Sequence, residues 1–455
     1  MKAEGRSFLG YPLILFSMGI LAYLLLGFNL EEGVTTGVSP MCPGCNILLV
    51  SIDTLRADHM GCYGYGLNTT PNIDSLSSNS LLFTRYYTAL PSTMPSHATM
   101  FTSKMPYEHK LQENGQAISL NETTLAEVLN GGGYNTAAIT SAGHLNTGSG
   151  LGQGFDYFDS PGESNTRLRR QIVGYTRGAS ETTDLALEWL ESNPGGKFFM
   201  FLHYWDPHSP YTPPKKYDVF RGASNGTKLA RRRGGYDGEV FYVDSEFGRI
   251  IDYLEKNEML DNTLVVVTSD HGESLGDHGG YFGHGPLLYE HQIRIPLIIY
   301  CQGVFREYDK LSLNTQLMPT ILEMVGVGDS ASSSPSLFED GLQALFFESD
   351  VCSHPRVSGC YPPKTVQGKL IGVRKGDFKL IQTPTSTGFR SELYDLDSDA
   401  GEVNDVSGSL MLYYRRWVMD GMVSGISSQV RDPSNNKRSN DEKLIKKLKA
   451  LGYSL

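Results

Sequence analysis

This sequence predicts an α/β fold: a mostly parallel sheet sandwiched by helices, followed by a small C-terminal antiparallel sheet and a helix. Three observations carry that expectation. Short runs that are apolar almost throughout, at residues 47–52, 135–140, 198–203, 264–268 and 295–300, read as strands buried on both faces. Segments of helical period lie between them, at 121–129, 237–254 and 316–325. Beyond about residue 330, Ser- and Pro-containing loops give way to short runs at 370–373, 378–382 and 392–396, separated by turns. Alternation of strand and helix implies a parallel sheet covered on both faces. The later pattern implies a separate antiparallel sheet.

The elements follow in chain order. Residues 7–30 carry no charge and are rich in Leu, Ile, Phe and Tyr. At about 1.5 Å of rise per residue, a helix of this length crosses a bilayer. Lys2 and Arg6 precede it, and Glu31 and Glu32 follow. The positive-inside rule then puts the catalytic part outside the cytoplasm. Residues 1–32 are therefore expected to be a single-pass signal anchor in the cell membrane. A cleaved signal peptide, giving a secreted protein, is the rival, although no clear Ala-x-Ala site follows. Residues 33–45 read as a tether, 46–335 as the catalytic domain and 336–455 as a C-terminal subdomain.

The helix at 121–129 opens on Asn-Glu-Thr-Thr and presents Leu125, Val128 and Leu129. That at 237–254 lines up Val240, Val243, Phe247, Ile250 and Ile251 on one face, and that at 316–325 stops at Gly326. The tail 441–451 is amphipathic, with Leu444, Ile445, Leu448 and Leu451 together, and is expected to dock on the domain.

A net charge of −11 excludes a broadly basic nucleic-acid surface. Six cysteines are compatible with an oxidising compartment. Cys352 and Cys360 bracket a short loop and could pair. Cys42 and Cys45 could form a structural disulfide, stay as free thiols, or serve as a redox or metal pair.

In open α/β sheets, ligands bind beyond the carboxyl ends of the strands. Asp53 and Asp270 both follow such ends. Five segments then carry a family resemblance. Asn46-Ile47-Leu48-Leu49-Val50-Ser51-Ile52-Asp53-Thr54-Leu55-Arg56-Ala57-Asp58 resembles the first strand and metal loop of the alkaline phosphatase/sulfatase superfamily. Thr70-Pro71-Asn72-Ile73-Asp74 resembles the segment that follows it, and Glu392-Leu393-Tyr394-Asp395-Leu396 the C-terminal strand. Thr263-Leu264-Val265-Val266-Val267-Thr268-Ser269-Asp270-His271-Gly272-Glu273 resembles the second metal loop. Pro91-Ser92-Thr93-Met94-Pro95-Ser96-His97-Ala98-Thr99 is similar to the sulfatase nucleophile motif of Cys or Ser, any residue, Pro, any residue, Arg. Thr93 takes the nucleophile place and His97 stands where Arg would be.

The departure at Thr93 separates two chemistries. Oxidation of Cys or Ser to formylglycine requires a primary Cβ, whereas threonine could give only a ketone. No formylglycine is expected, and Thr93 must act as a plain alkoxide or not at all. The resemblance implies a divalent metal held by Asp53, Thr93, Asp270 and His271. Sulfatases carry two adjacent Asp in the first loop and often Asp-Asn in the second; here these are Asp53-Thr54 and Asp270-His271. An imidazole in place of an oxygen ligand favours Zn or Mn, with Ca or Mg still possible. The ligand set is also similar to that of lipoteichoic acid synthases and phosphoethanolamine transferases.

The same resemblance gives His208, in Asp206-Pro207-His208-Ser209-Pro210, a role in leaving-group protonation or oxyanion binding. It makes His284 a candidate for the anion pocket or a second metal. His97 is a candidate substrate ligand or a packing residue. Arg56 is a candidate for anion binding or for a salt bridge within its loop. Arg231-Arg232-Arg233 could attract anionic groups. The expected activity is metal-dependent hydrolysis of a phosphate or sulfate ester on a small molecule, glycan or lipid headgroup, with no nucleic-acid partner. A headgroup transferase and a non-catalytic surface scaffold are the alternatives.

Overall fold

The computed structural model describes residues 41–161, 176–222, 226–349, 369–385 and 388–407. The expected membrane anchor, the tail helix at 441–451 and the Cys352–Cys360 pairing lie outside the described residues. Among the described residues, no helix is long and apolar enough to cross a membrane.

Eight strands build the main sheet: β1 (Asn46–Ile52), β2 (Ser80–Phe83), β3 (Asn135–Thr140), β4 (Tyr157–Asp159), β5 (Phe198–Tyr204), β6 (Thr263–Thr268), β7 (Leu297–Tyr300) and β8 (Arg306–Tyr308). Their order is β8-β2-β7-β6-β1-β5-β3-β4. Strands β6, β1, β5, β3 and β4 run parallel, while β7 is antiparallel to both of its neighbours, β6 and β2. The expected parallel sheet is therefore mixed at one side. Residues 295–300 fulfil the strand reading only from Leu297, because Pro296 has no N–H to give a ladder.

Side-chain alternation along β1 separates two cores. Ile47 and Leu49 face helices α2 (Thr93–Thr102), α3 (Leu125–Gly131) and α6 (Leu317–Val325). Leu48, Val50 and Ile52 face α1 (Pro71–Ser77), α4 (Ala179–Ser192) and α5 (Lys228–Lys256). Every residue of β1 is buried, as a central strand covered on both faces requires.

Helix ends follow side-chain capping. Helix α3 starts at Leu125, not at residue 121, because Thr124 caps it: Glu127 N–H donates to Thr124 Oγ1 at 3.1 Å, and the Glu127 carboxylate accepts from Thr124 N–H at 2.8 Å. Helix α5 begins nine residues before the apolar period shows, at Lys228 rather than 237. Thr227 caps it, and its Arg- and Gly-rich opening turns hide the period. Cys42 and Cys45 form a disulfide. Cys42 N–H and Gly44 N–H donate to the carbonyls of Met324 and Val325, so the end of the expected tether docks on α6.

Four antiparallel strands form the second sheet: β9 (Leu345–Glu348), β10 (Ile371–Lys375), β11 (Phe378–Thr385) and β12 (Gly388–Asp395). Three of them match the runs expected at 370–373, 378–382 and 392–396, and β9 is additional. A buried charge network joins this sheet to the loop after β6. Lys379 Nζ, fully buried, donates to Glu290 Oε1 at 2.9 Å and pairs with Glu402 at 2.5 Å. Arg374 and the Tyr87 hydroxyl donate to Glu290 Oε2. Removing one partner of a buried pair strands the other charge. Lys379→Met should therefore cost roughly 3–5 kcal/mol, measured as a lowered unfolding midpoint in urea.

Candidate active site

The carboxyl ends of β1, β5 and β6 point the same way, and the loops beyond them converge. Asp53 follows β1, with its N–H donating to the Tyr204 carbonyl at 2.9 Å. Asp270 and His271 follow β6. Their turn needs glycine next: a Cβ on Gly272 would come within 2.1 Å of the His291 carbonyl oxygen. Thr93 opens α2 and is 1 % exposed. Thr54 adopts φ 58°, an uncommon conformation for a β-branched residue. Its N–H donates to Asp270 Oδ1 at 3.2 Å, and its carbonyl accepts from the Tyr236 hydroxyl at 2.8 Å. Tyr236 also accepts from Arg56 N–H at 2.9 Å and thus ties the first loop to α5, while the Thr54 N–H links that loop to the second.

The ligand atoms of Asp53, Asp270 and His271 lie within 4.8 Å of one another. His271 Nε2 stands 3.9 Å from Asp53 Oδ1, 3.4 Å from Asp270 Oδ2 and 3.3 Å from Thr93 Oγ1. His271 Nδ1–H donates to the Gly272 carbonyl at 2.9 Å. That bond fixes the tautomer and leaves the Nε2 lone pair facing the carboxylates. Both oxygens of Asp53 and Oδ2 of Asp270 have no hydrogen-bond donor. Burial, then Asp270 and Glu273, push the Asp53 carboxyl well up, and burial pushes Asp270 up. Burial, reinforced by His284, holds His271 well below the usual imidazole range, hence neutral. Three clustered carboxylate oxygens without donors and a neutral imidazole with its lone pair turned inward fit a divalent cation.

A second imidazole pair adjoins this cradle. The His284 ring lies 4.2 Å from that of His271 and 5.0 Å from that of His208, centre to centre. His284 Nδ1 is bonded to Glu273 Oε1 at 3.3 Å, and Glu273 is fully buried. His208 stacks on Trp205 at 3.7 Å and donates Nδ1–H to the Ser209 carbonyl at 2.8 Å. Burial, with His284 nearby, keeps His208 neutral.

Two expected ligands of the substrate are placed differently. His97 is fully buried; its Nδ1–H donates to the Thr93 carbonyl at 2.8 Å, and its Nε2 accepts from Ser51 Oγ at 3.0 Å. It braces the first turn of α2, the packing alternative. Arg56 pairs with Asp58 at 2.7 Å and Asp277 at 2.8 Å and donates to the Glu273 carbonyl at 3.0 Å. Those bonds make it a strut between the two metal loops, with its charge already matched by two carboxylates.

Three neighbours escaped the sequence reading. His203 Nε2 lies 3.6 Å from Asp53 Oδ2, although this residue reads as a structural strand end. Glu273 is the last residue of the second metal-loop segment, and a carboxylate at that place was a usable signal. Tyr236 gave none, because its role depends on where α5 crosses the sheet.

Behind His208, the Asp206 and Glu239 carboxyls share a buried site. Thr212 N–H donates to Glu239 Oε1 at 2.8 Å. Burial, then Asp206, raises Glu239 to about 9. A carboxyl raised on folding gives stability that is complete below its unfolded value and is lost as pH rises toward the folded one. Wild type should therefore lose stability from about pH 4.5 up to about pH 9. Glu239→Gln should flatten that part of the slope, as read from urea midpoints across the range.

These features define an alkaline phosphatase-like fold with a threonine hydroxyl beside a candidate metal cradle. The chain belongs to the sulfatase family, whose pattern matches residues 45–327, and is a sulfatase-like hydrolase. It is 24 % identical over 469 aligned positions to the N-acetylglucosamine-6-O-sulfatase of Bacteroides thetaiotaomicron, covering 80 % of this chain and 82 % of that one. It is 23 % identical to the iduronate 2-sulfatase of Homo sapiens over 78 % and 74 % of the two chains. Among solved structures, the phosphonate monoester hydrolase of Agrobacterium radiobacter shares the fold, with a TM-score of 0.68, 21 % identity and coverage of 85 % and 96 %. A protein solved with its substrate D-glucosamine-2-N,6-O-disulfate gives a TM-score of 0.69 at 22 % identity, over 90 % and 99 %.

Proposed function

We propose that this chain hydrolyses sulfate esters of a sugar, using Thr93 as nucleophile in a site that holds a divalent ion on Asp53, Thr93, Asp270 and His271. The observation that carries this reading is Thr93 Oγ1, 3.3 Å from the lone-pair nitrogen of His271 and beside carboxylate oxygens that lack donors. The relatives named for sulfated sugars support the substrate class. An ion held there supplies Lewis acidity, lowering the cost of an anionic Thr93 oxygen and drawing electron density from the sulfuryl group. The imidazole favours zinc or manganese over calcium.

The residues divide the work. His97 and Ser51 hold the start of α2, so that Thr93 is fixed before substrate arrives. Thr93 Oγ1 attacks sulfur, and the bond from sulfur to the sugar oxygen breaks. The proton lost by Thr93 reaches that oxygen through the His208–His284 pair. Both imidazoles sit next to the cradle, and His208 Nε2 remains available once Nδ1–H is committed to Ser209. Water then attacks the Thr93 sulfate ester, releasing sulfate and restoring the hydroxyl. The Cys42–Cys45 disulfide and the apolar stretch at residues 7–30 support action outside the cytoplasm.

Phosphate esters are the second reading. Thr93 favours it, because a hydroxyl nucleophile needs no oxidative maturation. The test is turnover of 4-nitrophenyl sulfate against 4-nitrophenyl phosphate by zinc- or manganese-loaded protein. Faster sulfate turnover supports the first reading, and faster phosphate turnover the second. No turnover of either by metal-loaded protein sinks the hydrolase proposal.

A further inference from the structure

The chain is strongly acidic as a whole, yet one cavity beside the active site is basic. It has a volume of about 450 Å³ and is lined by Ser209, Tyr211, Thr212, Lys228, Arg231 and Arg232, among others, with no Asp or Glu in its wall. Arg221 also reaches it but is paired with Asp218 at 3.1 Å. Arg233 turns away, bonding the Leu275 carbonyl and Asp277. Lys228, Arg231 and Arg232 have no carboxylate partner among the described residues. They occupy the first turns of α5, where the helix dipole adds positive potential.

The cavity is tied to the reaction centre on two sides. Ser209, in its wall, follows His208 and accepts that imidazole's Nδ1–H. The Arg232 guanidinium lies 3.5 Å over the Phe282 ring, two residues before His284. A substrate that occupies both the reaction centre and this cavity presents a separate anionic group to each. Clustered cations of one sign concentrate anions locally even on an acidic protein.

Resting on the sulfate-ester reading, we propose that this cavity binds a second anionic group of the same substrate. The natural substrate is then a sugar bearing at least two anionic groups. Lys228 and Arg231 are specificity-determining residues, which contact the non-reacting group and not the ester.

The test compares glucosamine 6-sulfate with glucosamine 2-N,6-O-disulfate, in wild type and in the Lys228→Gln/Arg231→Gln double variant. Wild type should prefer the disulfate by roughly tenfold or more in kcat/KM. The double variant should bring the ratio to within about twofold, and Lys228→Arg/Arg231→Lys should keep it. An unchanged ratio in a folded double variant overturns the proposal. If neither sugar is turned over, the sulfate-ester reading fails; calorimetric titration of the disulfate then decides the cavity alone, and equal affinity of wild type and variant overturns it. Binding to phosphatidylglycerol vesicles that is lost in the variant, with the sugar ratio unchanged, would assign the patch to a membrane surface instead and also overturn the proposal.

Discussion

Replacing Thr93 by alanine should lower kcat by a factor on the order of 10⁴ or more, with the fold intact. The hydroxyl is the only group on that side chain able to attack, and its loss removes the covalent step as a whole. Thr93→Ser should retain activity, since it keeps the oxygen and removes only a methyl. Stability should barely respond to Thr93→Ala: the hydroxyl's hydrogen bond to His271 Nε2 is long, at 3.3 Å. A large loss of rate without loss of stability separates a nucleophile from a packing residue. Parallel urea titration and steady-state kinetics on the three proteins provide both readouts.

The second large effect concerns Asp53. Its carboxylate is fully buried, lacks donors and is pushed toward the neutral form by burial, Asp270 and Glu273. Such a group destabilises the metal-free protein and is relieved by a cation. Asp53→Asn should therefore raise the melting temperature of metal-free protein while abolishing the further rise that zinc or manganese gives wild type. Ligand linkage sets the scale: a thousandfold excess over Kd stabilises wild type by about 4 kcal/mol. The variant should also lose stoichiometric metal by elemental analysis, and with it turnover. Metal-free Asp53→Asn melting below metal-free wild type would contradict this account of Asp53.

What could be read from the sequence followed physical rules that act locally. Strands β1, β3, β5 and β6 announce themselves because a central strand in this architecture is apolar on both faces. Asp53, Thr93, Asp270 and His271 come together because each sits at the end of an element whose direction the fold fixes. Strand β9 escaped, because Leu345–Glu348 is short and lacks alternation. The antiparallel turn of β7 escaped too, since an apolar run has no direction. His203, Tyr236 and the Arg56–Asp277 pair depend on contacts more than 100 residues apart in the chain, which periodicity cannot see, whereas the Arg56–Asp58 pair is the salt bridge within the loop that the sequence offered. His97 shows the same limit. Its place in the motif suggests a substitute for arginine, while its ring is spent on Ser51 and the Thr93 carbonyl.

The most direct test of Thr93 as nucleophile is to quench metal-loaded protein during turnover of an aryl sulfate and map its peptides by mass spectrometry. A sulfuryl group on the peptide containing Thr93, localised to that residue and absent from Thr93→Ala, is the predicted result. Turnover with an unmodified Thr93 at every time point, together with an aldehyde at Ser92 or Ser96, would contradict the account.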